Sequence, residues 1–322
     1  MADLSDPLDR LRRRLGQIEG LRPLTGGASS LTYTGRWDGR PVVVKVAPAG
    51  IAPTGHRDVL RQSRLIAALA GGAVPVPEVL WEDPGEPPAD PPLFVMSMLA
   101  GSSVEPLFDM DSTGLEETDV RERFRSAAST MAQLHLVRPS AIGLSAEPVI
   151  TATAEVKRWC RTLETVDPTL APGWREVGAA LLGRVPAPLG PAVVHGDFRL
   201  GNVLAVANRI TGVIDWEIWS VGDPRVDVGW FLINCDPETY RRPTRYVGGT
   251  PSLDELAGIY QTTVGFPVPG LGWFQALACF KSVATWSLIV KHNRRRPQPD
   301  CDLEAMSKAL PHLLSRAGEL LG

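Results

Sequence analysis

Hydrophobic positions over the first hundred residues recur largely at every second place, and after that largely at helical spacing. Leu21–Leu24 predicts a strand, and Leu31–Trp37 alternates up to Asp38-Gly39, a two-residue hairpin signal that leads into the β-branched run Val42–Val46. Pro48 and Pro53 interrupt the chain before Asp58–Ala70, where Val59, Leu65, Ile66 and Leu69 suit a helix laid on the sheet. After a proline-rich loop from Pro84 to Pro92, Leu93–Met98 predicts one more strand. Helices are then expected over Arg121–Leu136, Ala154–Leu163, Trp273–Val290 and Leu303–Leu321. They are interrupted by short β segments at Ala192–His195, Val203–Val206 and Gly212–Ile214. The change of composition near Gly101 divides the chain into a β-rich part, residues 1–98, and a mainly helical part, residues 99–322, joined at about 96–101. The fold class expected is α+β, and no internal repeat or low-complexity tract is present.

The 322 residues, 44% hydrophobic and 21% charged, describe an ordinary globular chain. A formal net charge of −3 gives no general attraction to nucleic acid or to an anionic membrane, so neither is expected as a partner. Cys160, Cys235, Cys279 and Cys301 stand far apart without metal-site spacing and read as reduced, mostly buried thiols. The N-terminus lacks the apolar stretch of a signal peptide, and the longest apolar run, Ala276 to Val290, contains Lys281 and is short for a bilayer. A cytoplasmic location is the expectation. Oligomeric state is not legible.

Candidate chemistry concentrates in Val193-Val194-His195-Gly196-Asp197-Phe198-Arg199-Leu200-Gly201-Asn202, with Val213-Ile214-Asp215-Trp216-Glu217 following a short hairpin. Taken singly, Asp197 reads first as a turn residue or helix cap and Asn202 as a loop amide, and Asp215 reads equally as an acceptor for backbone donors. The joint spacing says more. Magnesium takes hard oxygen ligands, usually one or two protein groups beside substrate phosphates. Asn202 and Asp215 suit that task, which leaves Asp197 to accept a proton from an attacking hydroxyl.

These residues, together with Gly222-Asp223-Pro224-Arg225-Val226-Asp227, resemble the aminoglycoside phosphotransferase (phosphotransferase enzyme) family, close to the kinase-like domains of acyl-CoA dehydrogenase fusion proteins. The resemblance runs from about Leu24 to about Lys281. It implies a bilobal protein-kinase-like fold whose smaller N-terminal lobe binds nucleotide and whose C-terminal lobe binds substrate. By that resemblance Asp197 would be the catalytic base, Asn202 and Asp215 the Mg2+ ligands, His195 a brace for the loop, and Asp227 an anchor for loop and helix backbone. Lys45 would contact the ATP phosphates, Gly26, Gly27, Ser29 and Ser30 would form a phosphate-approaching turn, and backbone near Ser97 and Met98 would meet adenine. No GxxxxGK[ST] segment exists, which argues against a P-loop enzyme.

One departure stands out. Gln62 occupies the helix position where the family's strand lysine expects a glutamate, and Asp58, a turn earlier, would replace it only if the helix shifted. The amide accepts a hydrogen bond but brings no charge. The expected activity is Mg-dependent transfer of the ATP γ-phosphoryl group to a hydroxyl of a small molecule, and the alternative is a catalytically weak nucleotide-binding module. A protein kinase is disfavoured, since no APE-type segment follows Asp215. For the acceptor, Asp236, Glu238, Asp254 and Glu255 are mixed with Arg241, Arg242, Arg245 and Arg294–Arg296, so a polycation is not specially favoured. Trp159, Trp174, Trp219, Trp230, Tyr240 and Trp273 read first as core, and otherwise as walls of an apolar pocket.

Overall fold

The computed structural model describes residues 7–16, 18–24, 30–108, 114–241, 244 and 246–322, which fall into two compact units. One contains residues up to Gly101 together with Thr211–Trp219; the other contains Ser102–Ile210 and Ser220–Gly322.

The first unit opens with helix α1 (Pro7–Leu15), followed by strands β1 (Ile18–Pro23), β2 (Leu31–Trp37) and β3 (Arg40–Val46). Helix α2 (Val59–Leu69) and strands β4 (Val79–Asp83) and β5 (Leu93–Ser97) complete it. The antiparallel sheet has the order β1-β2-β3-β5-β4. Asp38 and Gly39 both take positive φ, 48° and 73°, the geometry a two-residue hairpin needs to match strand twist. Alternation along β3 then sorts its side chains. Val42, Val44 and Val46 enter a core with Leu11, Leu15, Tyr33 and Val95, whereas Lys45 belongs to the opposite set. Against the sheet lies α2, with Val59, Leu65, Ile66 and Leu69 buried as its spacing predicts.

Asp58, considered from sequence as a stand-in partner for Lys45, instead caps α2 by accepting from the Arg61 amide at 2.9 Å. Asp58→Ala is expected to lower stability by about 1 kcal/mol, measurable as a shift in urea midpoint.

The second unit is built from α3 (Glu117–Leu136), β6 (Val149–Ile150), α4 (Ala152–Leu163), α5 (Trp174–Gly183), β7 (Ala192–Val194), β8 (Val203–Val206) and β9 (Arg209–Val213). The chain continues through β10 (Ser220–Gly222), α6 (Arg225–Ile233), α7 (Leu253–Val264), α8 (Leu271–Asn293), α9 (Cys301–Ala305) and α10 (Leu310–Leu321). Strand β9 carries the chain out of this unit at Thr211. In a small sheet β10 pairs parallel with β6 and antiparallel with β7.

Helix α8 is the spine of this unit. It is long and apolar enough to cross a membrane by length and composition, longer than the apolar run alone suggests, yet 72% of its apolar window is buried. Its helical neighbours include α4, α5, α6, α9 and α10. A Cβ on Gly229 would stand 2.4 Å from the Phe274 carbonyl oxygen, so only glycine permits α6 to cross α8 this closely. The helix expected over Leu303–Leu321 is divided: residues 306–309 form a 3-10 turn between α9 and α10, and Pro311 occupies the first turn of α10. Proline lacks an amide donor and its ring opposes a continuous helix through that point.

No cysteine is disulfide-bonded. Cys235 and Cys279 are buried as expected, whereas Cys160 is half-buried and Cys301 is exposed at the start of α9.

Candidate active site

Buried strand β7 delivers His195-Gly196-Asp197 into a loop, and Gly196 takes a φ of 86° that a side chain would resist. The loop is held from below by Asp227 on α6. This fully buried carboxylate accepts the His195 amide at 2.6 Å and the Gly196 amide at 2.8 Å, while the His135 Nε2 stands 3.2 Å away. His135, at the end of α3, contacts the Tyr260 hydroxyl through Nδ1 at 2.7 Å. Held between the Tyr260 hydroxyl and Asp227, it braces the carboxylate that pins the loop. The same N-terminal end of α6 is tied down by the buried Arg225–Asp223 pair, with Arg225 also donating to the Ala187 and Pro269 carbonyls.

Asp197 is the acceptor for several donors at once. The Trp230 indole donates to its Oδ1 at 2.7 Å, the Asn202 amide nitrogen to its Oδ2 at 2.8 Å, and Arg199 Nε lies 3.1 Å from both oxygens. Arg199 also pairs with Glu105. His195, fully buried, accepts the Asp197 amide on Nδ1 at 3.1 Å. Asn202 donates a second time, to the Asp197 carbonyl at 2.9 Å. Both of its contacts are to acceptors, which places the amide nitrogen on that side. Among the described residues its oxygen Oδ1 accepts nothing, an oxygen of the kind a hard cation takes.

In the first unit, Lys45, Gln62 and Asp215 come together. The Lys45 ammonium donates to Asp215 Oδ1 at 2.9 Å and to Gln62 Oε1 at 3.3 Å. Gln62 is buried, and its amide nitrogen reaches the His56 carbonyl at 3.4 Å. Asp215 sits at the end of β9 with φ 65°, a left-handed conformation costly for a side-chain-bearing residue and frequent at functional sites. These three line a cavity of about 10 Å³ with Met96, Ile214 and Trp216, room for about one water.

Gly26, Gly27 and Ser29 lie outside the described residues, as do Arg242 and Arg245. Ser30 is buried, and its hydroxyl has no hydrogen-bond partner among the described residues. The Ser97 and Met98 amides already donate, to the Glu78 and Pro41 carbonyls at 2.9 and 3.1 Å. Any further backbone recognition at these two residues therefore falls to their carbonyls.

Two contributors around Asp197 escape sequence reasoning. Trp230 reads as a core tryptophan and is buried, yet its indole N–H points at the Asp197 carboxylate. Lys281, mid-helix in α8, donates to the Gly196 carbonyl. The other aromatics, Trp159, Trp174, Trp219, Tyr240 and Trp273, are buried. Of the acidic residues weighed for a cationic acceptor, Asp236 pairs with Arg316 and Glu255 with Arg125, while Arg241 stands 4.0 Å from Glu238.

A model of the phosphotransferase enzyme family matches residues 20–259. Among curated proteins, acyl-CoA dehydrogenase family member 10 of Mus musculus is 24% identical over 280 residues, covering 83% of this chain and 26% of that protein. Acyl-CoA dehydrogenase family member 11 of Gallus gallus is 27% identical over 284 residues, covering 81% of this chain and 35% of that protein. The chain therefore spans only about a quarter to a third of the length of these relatives.

Among solved structures, a putative aminoglycoside phosphotransferase from Ralstonia eutropha matches with a TM-score of 0.76 at 20% identity, covering 98% of this chain and 97% of that one. A thermostable mutant of aminoglycoside phosphotransferase APH(4)-Ia, crystallised with ADP and hygromycin B, matches with a TM-score of 0.63 at 17% identity, covering 97% of each chain. At these identities the likeness establishes the fold, the bilobal kinase-like one with a β-rich N-terminal lobe and a helical C-terminal lobe. Since the family model takes in both the Lys45 strand and the whole stretch from His195 to Asp227, the chain belongs to the phosphotransferase enzyme family.

Proposed function

We propose that this protein transfers the γ-phosphoryl group of ATP to a hydroxyl of a small molecule, with Asp197 as the catalytic base. The observation that carries the reading is the Asp197 carboxylate itself, delivered by a loop pinned through Asp227 and aimed by Trp230, Asn202 and Arg199. Phosphoryl transfer asks the protein chiefly for positioning and charge stabilisation, and a carboxylate held in this way is suited to orient a hydroxyl and take its proton. Residues 1–98 would form the nucleotide-binding lobe and residues 99–322 the catalytic and substrate-binding lobe.

Lys45 would meet the phosphates, with Ser30, Gly26, Gly27 and Ser29 as further donors, and backbone at Ser97 and Met98 would face adenine. The buried, unpartnered Ser30 hydroxyl fits such a phosphate-facing turn. Asn202 and Asp215 would hold Mg2+, and the free Asn202 Oδ1 and the Asp215 carboxylate fit a hard cation. Bound there, magnesium would neutralise phosphate charge during transfer. Among the described residues no cluster of three His, Cys, Asp or Glu would bind a metal without such help, so phosphate oxygens and water would complete the shell. The family relationship and the ADP complex of a protein with the same fold support nucleotide use. The acceptor is not given by the family name, because the acidic residues weighed for a polycation include two already paired with arginines.

A second reading, a nucleotide-binding module with weak or no turnover, is favoured by one observation: Lys45 meets the neutral Gln62 in place of a glutamate. Asp215 supplies the charged partner for Lys45 in its stead. Calorimetric titration with ATP is expected to show binding strengthened by magnesium, and Asp215→Ala is expected to remove that strengthening. An absence of ATP binding under both conditions would overturn both readings.

A further inference from the structure

Lys281 is a charged residue in the middle of α8, the long and largely buried helix of its unit. Its side chain is 6% exposed, at a position in α8 where Ala278, Cys279, Phe280, Ser282 and Val283 are all buried. Leu or Met would fill such a position at far lower desolvation cost, since an ammonium leaves water only at considerable expense. What receives the charge is specific. The ammonium donates to the Gly196 carbonyl, lies 3.8 Å from the Trp230 ring centroid and 5.8 Å from that of Trp159. Trp159 is itself fixed by donation to Glu155 at 3.2 Å. Burial pulls the Lys281 pKa down, while Asp197, Glu155 and Asp227 act in the opposite direction and favour the charged form.

Two of these contacts lead to the same atom group. Gly196 immediately precedes Asp197, and the indole on whose face the ammonium lies donates through its edge to Asp197 Oδ1. Asp227 fixes the loop by its amides, and Lys281 fixes it by the carbonyl of Gly196, so the peptide between residues 196 and 197 is held at its oxygen. Helices α6 and α8 cross closely where Gly229 meets Phe274, and further along the same pair of helices Lys281 reaches the Trp230 ring.

We propose that Lys281 is a positioning residue for phosphoryl transfer, setting the direction of the Asp197 carboxylate by clamping the Gly196 carbonyl and the Trp230 indole together. The proposal rests on the reading of Asp197 as the base. It assigns Lys281 no contact with either substrate. A misplacement of a reacting group on the order of 1 Å costs about 10²-fold in rate, so the loss should fall on kcat rather than on nucleotide binding.

The test uses the full chain carrying Lys281→Met, Trp230→Phe or both, labelled with 15N at the indoles and checked for folding by thermal melt. Lys281→Met is expected to lower kcat by about 10²-fold with the ATP KM nearly unchanged. It should also move the Trp230 indole N–H resonance and add little to the loss caused by Trp230→Phe. Wild-type kcat in Lys281→Met with an unmoved indole resonance overturns the proposal, as does full additivity of the two losses. Should Lys281→Met fail to fold, Trp230→Phe decides: reduced kcat at constant KM supports the clamp, and wild-type kcat overturns it. If the unaltered protein phosphorylates no acceptor, the function reading fails separately. The indole resonance then decides alone, its movement in Lys281→Met supporting the clamp and its constancy overturning it.

Discussion

Asp197→Ala is expected to reduce phosphoryl transfer by about 10²–10⁴-fold, the usual contribution of a positioned general base, while leaving the affinity for ATP nearly unchanged. The separation is expected because a general base acts on the acceptor hydroxyl and not on the nucleotide. Trp230, Asn202 and Arg199 all belong to the same unit as Asp197, whereas the proposed nucleotide contacts at Lys45 and Ser30 belong to the other. Initial rates of ADP formation with an accepted substrate, alongside calorimetric ATP titration of the same variant, measure both quantities. Loss of transfer together with loss of folding would instead assign Asp197 a structural duty.

The second large effect is on stability. Asp227→Ala removes the acceptor for the His195 and Gly196 amides and the partner of His135, and leaves these groups buried. Stranding donors that a buried carboxylate had satisfied costs about 3–5 kcal/mol, visible as a large drop in urea midpoint.

The same residue predicts an acid dependence. Burial by itself would raise the Asp227 pKa. Hydrogen bonding and charge from His135, the nearby His195 ring and the His195 amide outweigh that, so the pKa lies below the ordinary aspartate range. A carboxyl whose pKa is depressed by folding contributes stability above its unfolded pKa and loses it as pH falls through the folded value. The contribution should therefore be complete at neutral pH and fade from about pH 4 downward. Asp227→Asn should show a flatter dependence in that window, read from urea melts at successive pH values.

How much of this is legible in the chain depends on how local the determining contacts are. Alternation in β2 and β3 and the Asp38-Gly39 turn suffice to orient Lys45 away from the valine face, because strand geometry is set by immediate neighbours. Asp197 and Asn202 meet across a single 3-10 turn, so their spacing already implies proximity. The Lys45–Gln62 contact follows from packing a helix on the sheet.

Other features depend on distant partners. Strand β4 ends in Glu82 and Asp83 and adjoins the proline-rich loop, and as a sheet edge it shows no clear alternation. Helix α6 carries buried Arg225 and Asp227 among its apolar residues, and their charges hide its core character until Asp223, His135 and the loop amides are placed beside them. Trp230 and Lys281 look like a core aromatic and an interruption in an apolar run. Their direction toward Asp197 and Gly196 is fixed only by the crossing of two helices, which no local pattern records.

The most direct measurement is transfer of the labelled γ-phosphoryl group from ATP, with magnesium present, to a panel of small hydroxyl compounds, with protein acceptors run in parallel. Label is expected on at least one small molecule, dependent on magnesium and lost in Asp197→Ala. ATP binding without transfer to any member of a broad panel, or transfer that persists in Asp197→Ala, would contradict the proposed function.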